Sequence, residues 1–344
     1  AGTHGKTTTT SMITEILLAA DADPTISVGG MLDSIGGNIR VGASDLFVTE
    51  ACEYTNSFLS FFPTVGIILN VGADHLDFFK DLDDIRHSFR RFAGLLPKDG
   101  LLIISDDIPE VSYFTEGLPC RVVKTGAQAY SDYHMTDLTY DEHGCPVFTV
   151  WKGAQELGKL TLAVPGEHNA KNALAAVACA VELGVSFEAI RQGLEAFTGT
   201  HRRFERKGVL PGDVLVVDDY AHHPDEIRAT LTAARKSGRE KIVCIFQPHT
   251  YSRTKSLMQE FADALSLADE IVLAKIYPAR ETDDLGISSH DLERELISRG
   301  KSAVCFDTFE EIEKFVNKKF LHGELLITMG AGDIDKVGDH LLSR

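Results

Sequence analysis

The sequence predicts an α/β fold in two domains, each built around a mostly parallel β-sheet. Short runs rich in valine and isoleucine alternate with amphipathic stretches of helical length, which is the pattern of strands buried between helices. The segment Thr198-Gly199-Thr200 interrupts this alternation, and the pattern after it is more regular than before. With 344 residues, the chain is long enough for two buried cores. We therefore predict one domain over residues 1–198 and a second over residues 199–344.

The first domain is predicted to begin with a loop, a helix and a strand, and to end in a β-rich block followed by two helices. Apolar residues at helical spacing (Met12, Ile13, Ile16, Leu17) predict the first helix. The glycine pairs at 29–30 and 36–37 are interpreted as flexible turns of a substrate-side loop. The remaining predicted strands are 46–48, 65–69, 101–104, 122–123, 133–140, 147–151 and 160–164, and the remaining helices are 85–96, 170–183 and 187–197.

The second domain shows a cleaner alternation of strand and helix. Five such units without a long linker predict a Rossmann-like α/β domain. The strands are predicted at 214–217, 242–246, 271–274, 303–306 and 325–328, with helices starting near 224, 253, 289, 308 and 333.

The first residues of the chain have the composition of a phosphate-binding loop. Gly2 and Gly5 permit a close backbone approach, Lys6 adds a mobile positive charge, and the Thr7 hydroxyl is a candidate Mg²⁺ ligand. The N–H groups that begin the following helix favour an anion there. The alternative is an ordinary loop, because Gly-Lys-Thr also occurs by chance. The complete loop pattern needs a preceding residue and a β-strand, so we expect that the sequence starts inside its domain.

Polar residues follow two of the predicted strands of the first domain. Glu50 closes one apolar strand, and Asn70 ends the next, with Asp74 and His75 shortly after. The carboxyl ends of parallel strands meet at one sheet edge, so these groups are candidates for holding a metal or a water molecule. The alternatives are a solvated acid at Glu50, a structural histidine at His75, and helix capping by Asp74 or Asp77.

Two further motifs precede or follow helices near the domain boundary. Asn169 and Asn172 are one helical turn apart, so both amides can face one ligand such as a nucleoside; capping of the helix by Asn169 is the alternative. Arg202 and Arg203 lie at the domain boundary, where guanidinium groups suit phosphate recognition. The alternative for the arginines is a solvated, charged connector.

Polar segments also follow the strands of the second domain. Residues 218–224 read Asp-Asp-Tyr-Ala-His-His-Pro, and such crowding of hydrogen-bonding groups at a strand end suits a site better than a core. Adjacent histidines rarely bind one ion, so a transition metal held by His222 and His223 is not predicted. The other strand-end segments are residues 247–253, 277–281 and 329–333.

Composition excludes some classes of function. The formal net charge of −17 argues against general nucleic-acid binding, which needs basic surfaces. No apolar run approaches membrane-spanning length. The six cysteines form no C-x-x-C pair, which is typical of reduced thiols in the cytoplasm rather than of a disulfide framework or a zinc site.

Taken in order, these motifs resemble those of the Mur ligases, a family of ATP-dependent peptidoglycan amide ligases. The resemblance extends over essentially the whole chain, and within the family it is greatest to the branch that adds L-alanine to UDP-N-acetylmuramate. The segments that carry it are residues 2–9, 50–53, 70–75, 166–173, 201–205, 218–224, 247–253 and 329–333.

The resemblance implies a central P-loop-type ATPase domain and a C-terminal Rossmann-like ligase domain, without the family's N-terminal UDP-binding domain. It implies ATP and Mg²⁺ as cofactors, UDP-N-acetylmuramate and L-alanine as substrates, and an acyl-phosphate intermediate. Several siblings carry a carbamylated lysine on the helix after the Asp-His motif. Residues 85–92 contain no lysine, so no carbamate is predicted.

The resemblance also implies roles for individual residues. Lys6 holds the β- and γ-phosphates, and Thr7, Glu50 and His75 ligate Mg²⁺. Tyr220 and His222 face the muramyl substrate, Asp219 approaches the ribose or the hinge, and Arg253 and Arg280 lie near the amino acid and the acyl phosphate. The other implied nucleotide contacts are Gly2, Thr3, His4, Gly5, Thr8, Asn169, Asn172, Arg202 and Arg203.

Two alternatives remain open at this point. A sibling ligase would add another amino acid or a preformed tripeptide, although the Met-Gly-Ala-Gly-Asp segment at 329–333 disfavours the tripeptide ligase. A non-catalytic nucleotide-binding module is the alternative from another class, and the segment by itself is expected to have little ligase activity.

Overall fold

A computed structural model describes residues 1–75, 78–282, 285–319 and 322–343. These residues form two compact units. Unit 1 comprises Ala1–Asp141 and Cys145–Thr200, and unit 2 comprises Glu142–Gly144 and His201–Arg344. Asp77, a predicted helix cap, lies outside the described residues.

Unit 1 combines helices with three-stranded and six-stranded sheets. Its elements in chain order are α1 (Lys6–Ala19), β1 (Thr25–Leu32), β2 (Gly37–Arg40), β3 (Phe47–Thr49), β4 (Val65–Ile68), α2 (Leu82–Ala93), β5 (Leu101–Ser105), α3 (Ser112–Thr115), β6 (Arg121–Gly126), β7 (Tyr133–Tyr140), β8 (Pro146–Lys152), β9 (Gln155–Thr161), α4 (Glu167–Glu182) and α5 (Phe187–Ala196), with short 3₁₀ turns at Asp33–Ile35 and Tyr54–Ser60.

The sheets of unit 1 are parallel where helices cover them and antiparallel at their ends. The small sheet has the order β2-β1-β3, with β1 and β3 parallel. In the large sheet, β4 to β7 are parallel, and β8 and β9 extend it as an antiparallel hairpin. A cavity of about 360 Å³ lies between β3 and β4 and is also lined by α1.

Alternate residues of β5 show why this strand is apolar from Leu101 to Ile104. Leu101 and Ile103 pack into a core with α1, α4 and α5, whereas Leu102 and Ile104 pack into a second core with α2 and α3. Because successive side chains of a strand point to opposite faces, a sheet covered on both faces needs apolar residues at every position.

The structure corrects the interpretation of Gly29 and Gly30 as a flexible turn. Gly29 and Gly30 lie within β1 and do not form a turn. A Cβ at Gly30 would come within 2.7 Å of Thr200 Cγ2 and 3.1 Å of Thr7 Cγ2, so the residue is small because other groups approach its backbone closely. Gly36 does form a turn, with φ of 62°. The last predicted strand of unit 1, 160–164, is instead β9, which ends at Thr161.

Unit 2 contains the predicted alternation of strands and helices and one additional strand, β10. Its elements are β10 (Glu205–Leu210), β11 (Val214–Asp219), α6 (Pro224–Arg235), β12 (Ile242–Phe246), α7 (Tyr251–Ser256), α8 (Met258–Leu265), β13 (Glu270–Ala274), α9 (Ser289–Ser298), β14 (Ser302–Phe306), α10 (Phe309–Lys319), β15 (Leu325–Met329) and α11 (Asp335–Leu342).

The sheet of unit 2 has the order β10-β11-β15-β12-β13-β14. All strands are parallel except β10, which pairs antiparallel with β11 at the edge. Cys244 and Phe246 pack into one core, and Val243 and Ile245 pack into the core on the other face. The predicted α/β fold class is therefore confirmed. Within the described residues, no helix is long and apolar enough to cross a membrane.

Candidate functional site

The loop before α1 is held against the end of β4. The Ala1 nitrogen donates to the Ile67 carbonyl (2.7 Å), Leu69 N–H donates to the Ala1 carbonyl (3.1 Å), and Thr3 N–H donates to the Asn70 carbonyl (3.2 Å). The Asn70 side chain accepts from His4 N–H at 2.8 Å and donates to the His4 carbonyl at 3.0 Å. The sequence predicted Asn70 at the strand end, and the structure brings it to the loop.

Both loop glycines are required by local geometry. Gly5 has φ of 82° and caps α1, and a Cβ there would come within 2.5 Å of Asn172 Oδ1. A Cβ at Gly2 would come within 3.1 Å of Leu69 Cβ. Left-handed backbone and close approach are both conditions that favour glycine. The chain therefore turns tightly into a helix whose first N–H groups have no intrahelical partner.

Lys6 folds back over this loop. Its Nζ donates to the Gly2 carbonyl (2.6 Å), to the Thr3 carbonyl (3.2 Å) and to Glu53 Oε1 (3.1 Å). Thr7 is buried in the first turn of α1, and Thr8 is half-buried. The predicted phosphate-loop residues 2–8 therefore form one continuous loop and first helical turn.

Glu53 is the acidic residue that reaches this loop. It belongs to the segment 50–53 that carries the family resemblance, but it was not among the predicted ligands. Its side chain is buried, with Oε2 3.0 Å from Lys6 Nζ. Although Oε2 is this close, its geometry is not that of a hydrogen bond, and no other donor in the described part of the chain bonds to it. The usable signal was the spacing, because Glu53 follows the same strand as Glu50, three residues later.

His75 lies beside Glu53. Its Nε2 is 3.8 Å from Glu53 Oε1 and 3.8 Å from Asp74 Oδ2, and its ring is 4.5 Å from that of Tyr54. His75 has a positive φ of 53°, and its N–H donates to Asp74 Oδ1 at 2.7 Å. The cluster therefore joins Lys6 on the loop, Glu53 after β3 and His75 after β4.

Glu50 has a different partner in this structure. Its Oε1 accepts a hydrogen bond from Gly29 N–H at 2.5 Å, and a Cβ at Gly29 would come within 2.8 Å of the carboxylate. The carboxylate therefore packs against the backbone of β1, while Glu50 also lines the cavity that Lys6 lines. Its predicted role as a metal ligand stays a prediction.

The two asparagines on α4 are buried and bonded to each other. Asn172 Nδ2 donates to Asn169 Oδ1 (3.3 Å), and Asn169 Nδ2 donates to the Pro165 carbonyl (2.7 Å). The N-cap residue of α4 is Gly166, and no side chain caps the helix. Asn169 lies inside the helix and therefore does not cap it. A cavity of about 210 Å³ lies here, and its lining includes Asn70, Asp107, Thr125, His168, Lys171 and Asn172.

In unit 2, Arg202 binds within its own unit. Its guanidinium donates to Asp218 Oδ2 (3.0 Å) and to the carbonyls of Gly332 (2.9 Å) and Gly330 (2.7 Å). Arg203 lies over the Tyr220 ring, with its guanidinium carbon 5.2 Å from the ring centroid. Through these contacts, Arg202 holds the turn that follows β15. The predicted nucleotide contacts of both arginines stay predictions.

Asp219 is buried at the end of β11. It accepts hydrogen bonds from Phe204 N–H (2.8 Å) and Ala221 N–H (2.7 Å). Burial raises its pKa to about 6, against the lowering effect of Arg203 and these two N–H groups. Its predicted contact with a ribose stays a prediction.

The two adjacent histidines after β11 have different partners. His222 Nδ1 donates to the Tyr220 carbonyl (3.0 Å) and lies 3.3 Å from Glu226. His223 caps α6 by accepting from Asp225 N–H, and Pro224 occupies the first helical position. His223 therefore caps α6, whereas His222 lies beside the Tyr220 ring.

The segment after β12 brings His249 and Arg253 together. Arg253 Nη1 is 3.3 Å from His249 Nδ1, and the His249 ring stacks on Tyr277 at 5.6 Å and lies 5.7 Å from His222. Burial, then His222 and Arg253, lower the pKa of His249 to about 4. The imidazole is therefore neutral at pH 7. Arg280 is exposed in the loop after β13.

Comparisons with known proteins match both parts of the chain to one family. Residues 1–180 match the family described as Mur ligase middle domain, and residues 202–332 match that described as Mur ligase, glutamate ligase domain. Among curated relatives, the UDP-N-acetylmuramate–L-alanine ligase of Lachnospira eligens is 60% identical over 99% of this chain and 74% of the relative. The protein of the same name from Agathobacter rectalis is 53% identical over 100% of this chain and 75% of the relative.

Solved structures give the same result. The Thermotoga maritima UDP-N-acetylmuramate-alanine ligase MurC matches with a TM-score of 0.83 and 32% identity, over 100% of this chain and 74% of that chain. A murein peptide ligase from Psychrobacter arcticus matches with a TM-score of 0.74 and 25% identity, over 99% of this chain and 75% of that chain. The resemblance inferred from the motifs is confirmed: the chain belongs to the Mur ligase family.

Proposed function

We propose that this chain contains the ATP-binding and ligase parts of an enzyme that joins L-alanine to the lactyl carboxylate of UDP-N-acetylmuramate, in peptidoglycan precursor synthesis. The observation that carries the proposal is the cluster of Lys6, Glu53 and His75 at the N-terminus of α1. It occurs in a chain that is 60% identical to a relative bearing the name of that activity. The six cysteines form no C-x-x-C pair, which is typical of reduced thiols, so we infer a cytoplasmic enzyme.

The proposed phosphate site is the loop of residues 2–8. Backbone N–H groups at the start of α1 would bind the phosphate oxygens, as at other helix N-termini. Lys6 would exchange its contacts with Gly2, Thr3 and Glu53 for the β- and γ-phosphates. The loop is already held by β4 and Asn70, which supports binding without a large rearrangement of the backbone.

The residues beside the loop fit a Mg²⁺ ion. Carboxylate and hydroxyl oxygens are the ligands that Mg²⁺ prefers, and the buried carboxylate of Glu53, which lies 3.0 Å from the Lys6 ammonium group, would become available to a cation once Lys6 turns to the phosphates. We propose Thr7, Glu53 and His75 as the residues that hold it, with Glu50 as the alternative acid. When bound, the ion would neutralise charge on the β- and γ-phosphates.

The cavity beside Asn172 is the proposed nucleoside site. It shares Asn70 and Asn172 with the surroundings of the loop, because Asn70 bonds His4 and Asn172 touches Gly5. A phosphate on the loop and a nucleoside in the cavity would therefore belong to the same ligand. Thr125, His168 and Lys171 offer polar groups along its wall.

The proposed reaction has two steps. An oxygen of the lactyl carboxylate attacks the γ-phosphorus, the bond from that phosphorus to the bridging oxygen of ADP breaks, and an acyl phosphate forms. The amine of L-alanine then attacks the acyl carbon, the bond to phosphate breaks, and the amine loses a proton. Positioning and charge neutralisation account for most of the catalysis in such reactions.

In unit 2 we propose that Tyr220 and His222 contact the muramyl substrate, and that Arg253 binds the carboxylate of the amino acid. A guanidinium matches a carboxylate in shape and charge. Asn169, Arg202, Arg203 and Asp219 remain the predicted nucleotide or hinge contacts, although Arg202 and Asp219 also have the local structural partners described above.

The test is ADP release by the full-length enzyme with ATP, Mg²⁺ and UDP-N-acetylmuramate, comparing L-alanine, glycine, L-serine and a peptidoglycan tripeptide. We expect a clear preference for L-alanine, with mass spectrometry showing the L-alanyl product. The Lys6→Ala variant should lose at least about 100-fold in rate, because charge stabilisation of the transferring phosphoryl group is removed. Equal use of the four acceptors, or a preference for the tripeptide, would refute the proposal.

A further inference from the structure

Thr250, between β12 and α7, has a backbone conformation that a β-branched residue rarely adopts. Its φ is 67° and its ψ is 146°, close to the region that is essentially restricted to glycine. Such a conformation is unfavourable and persists only where the surroundings enforce it.

Hydrogen bonds on both sides of Thr250 enforce this conformation. Its N–H donates to the Tyr277 carbonyl (2.8 Å), and Tyr277 N–H donates to the Pro248 carbonyl (2.8 Å). Its carbonyl accepts from the N–H (3.2 Å) and the hydroxyl (2.6 Å) of Thr254. Its own hydroxyl accepts from Arg253 N–H at 3.4 Å. The turn is therefore joined to the end of β13 on one side and to α7 on the other.

The enforced turn determines where two proposed site side chains lie. His249 precedes Thr250 and stacks on Tyr277, the residue that also binds the Thr250 N–H. Arg253 is on the first turn of α7 and reaches back to His249 Nδ1. A guanidinium only donates, so Nδ1 accepts and the ring proton is on Nε2. A different backbone at Thr250 would separate the imidazole from the guanidinium.

We propose that Thr250 is a positioning residue for the amino-acid substrate, and that its hydrogen-bonded turn holds His249 and Arg253 side by side in the arrangement that receives the substrate carboxylate. The inference rests on the proposed function. A strained backbone is retained where the geometry that requires it is used. The hydrogen bonds around Thr250 preserve that geometry.

The test compares Thr250→Val with Thr250→Ser in the full-length enzyme. Valine has the same branched shape but no hydroxyl, so the main-chain bonds remain while Arg253 N–H, at the start of α7, loses its acceptor. The helical turn that carries Arg253 is then no longer fixed. We expect the KM for L-alanine to rise about tenfold, because misplaced binding groups lose much of their effect. The kcat, the KM for ATP and the melting temperature should stay near the wild-type values. Serine keeps the hydroxyl and the Cβ, so the Thr250→Ser variant should have the wild-type KM.

A matched control is the exposed Thr308, whose hydroxyl accepts from Glu311 N–H (3.3 Å) at the start of α10; Thr308→Val removes a contact of the same kind. It should leave the KM for L-alanine unchanged. The inference is overturned if Thr250→Val leaves that KM unchanged, or if it raises the KM for L-alanine and ATP equally while lowering the melting temperature. If the wild-type enzyme shows no L-alanine-dependent release of ADP, the proposed function fails as well, so the two failures are distinguishable.

Discussion

At the scale of single residues, the acid that reaches the phosphate loop is Glu53. Two acids follow β3, and only geometry separates them. Glu50 bonds to the backbone of β1, whereas Glu53 contacts Lys6 and lies 3.8 Å from His75. The spacing of Glu50 and Glu53 does not determine which carboxylate faces the loop, because the chain there passes from a strand into a short 3₁₀ turn.

We predict that Glu53→Gln lowers kcat more than Glu50→Gln does. The neutral amide at position 53 would leave Lys6 without its ionic partner and a bound cation without its carboxylate, and we expect a loss of at least about 100-fold. At position 50, the amide oxygen of glutamine can still accept from Gly29 N–H, so the loss should be smaller. The measurement is steady-state ADP release, with circular dichroism to verify folding. A larger loss for Glu50→Gln would instead favour the acid predicted from the sequence.

Much of the candidate site could be predicted from the sequence, because strand ends and helix starts are short-range patterns. Lys6, His75 and Asn172 all lie near the loop, as the motifs indicated. The partners of Arg202 could not be predicted. Its guanidinium binds the carbonyls of Gly330 and Gly332, and these residues are more than 120 positions away along the chain.

At the scale of elements, most strands and helices follow from periodicity, and the exceptions have a common physical cause. The central strands of unit 2, β11, β12, β13 and β15, are buried on both faces and are therefore nearly continuous apolar runs. β1, β2 and β10 lack that pattern, because they lie in a small sheet or at a sheet edge and carry glycine or charged residues. Glycine in β1 resembled a turn, although close approach of Thr7 and Thr200 explains it.

Gly193 in α5 gives a prediction about how helices pack. A Cβ there would lie 2.6 Å from Ile16 Cα and 2.7 Å from the Glu15 carbonyl oxygen of α1. These are backbone atoms, which cannot turn away as a side chain can. Gly193→Ala should therefore lower the free energy of unfolding by about 1–3 kcal/mol despite the higher helix propensity of alanine.

The measurement for Gly193→Ala is urea denaturation followed by circular dichroism. The matched control is Gly37→Ala in β2, where nothing lies within 4 Å of an added Cβ. This control should change the stability little. An unchanged or increased stability of Gly193→Ala would mean that α1 and α5 can separate without cost, contrary to the packing described here.

At the scale of the whole molecule, the chain divides its proposed chemistry between two units that each have their own sheet and cores. The phosphate loop, the Glu53–His75 cluster and the cavity beside Asn172 all belong to unit 1. The ring cluster of Tyr220, His222 and His249 belongs to unit 2. Ligands should therefore protect different segments of the chain.

We predict that ADP with Mg²⁺ protects residues 1–9 and 166–175 of the full-length enzyme from amide hydrogen exchange more than it protects residues 247–253. Ligand binding opposes local opening of the segments that it contacts, and the proposed nucleotide contacts of the loop and cavity are confined to unit 1. Hydrogen exchange with mass spectrometry resolves these peptides, and Lys6→Ala should lose most of the protection at residues 1–9. Stronger protection of residues 247–253 than of residues 1–9 would contradict the assignment of the nucleotide to unit 1, because the phosphate loop would then not be the site of contact.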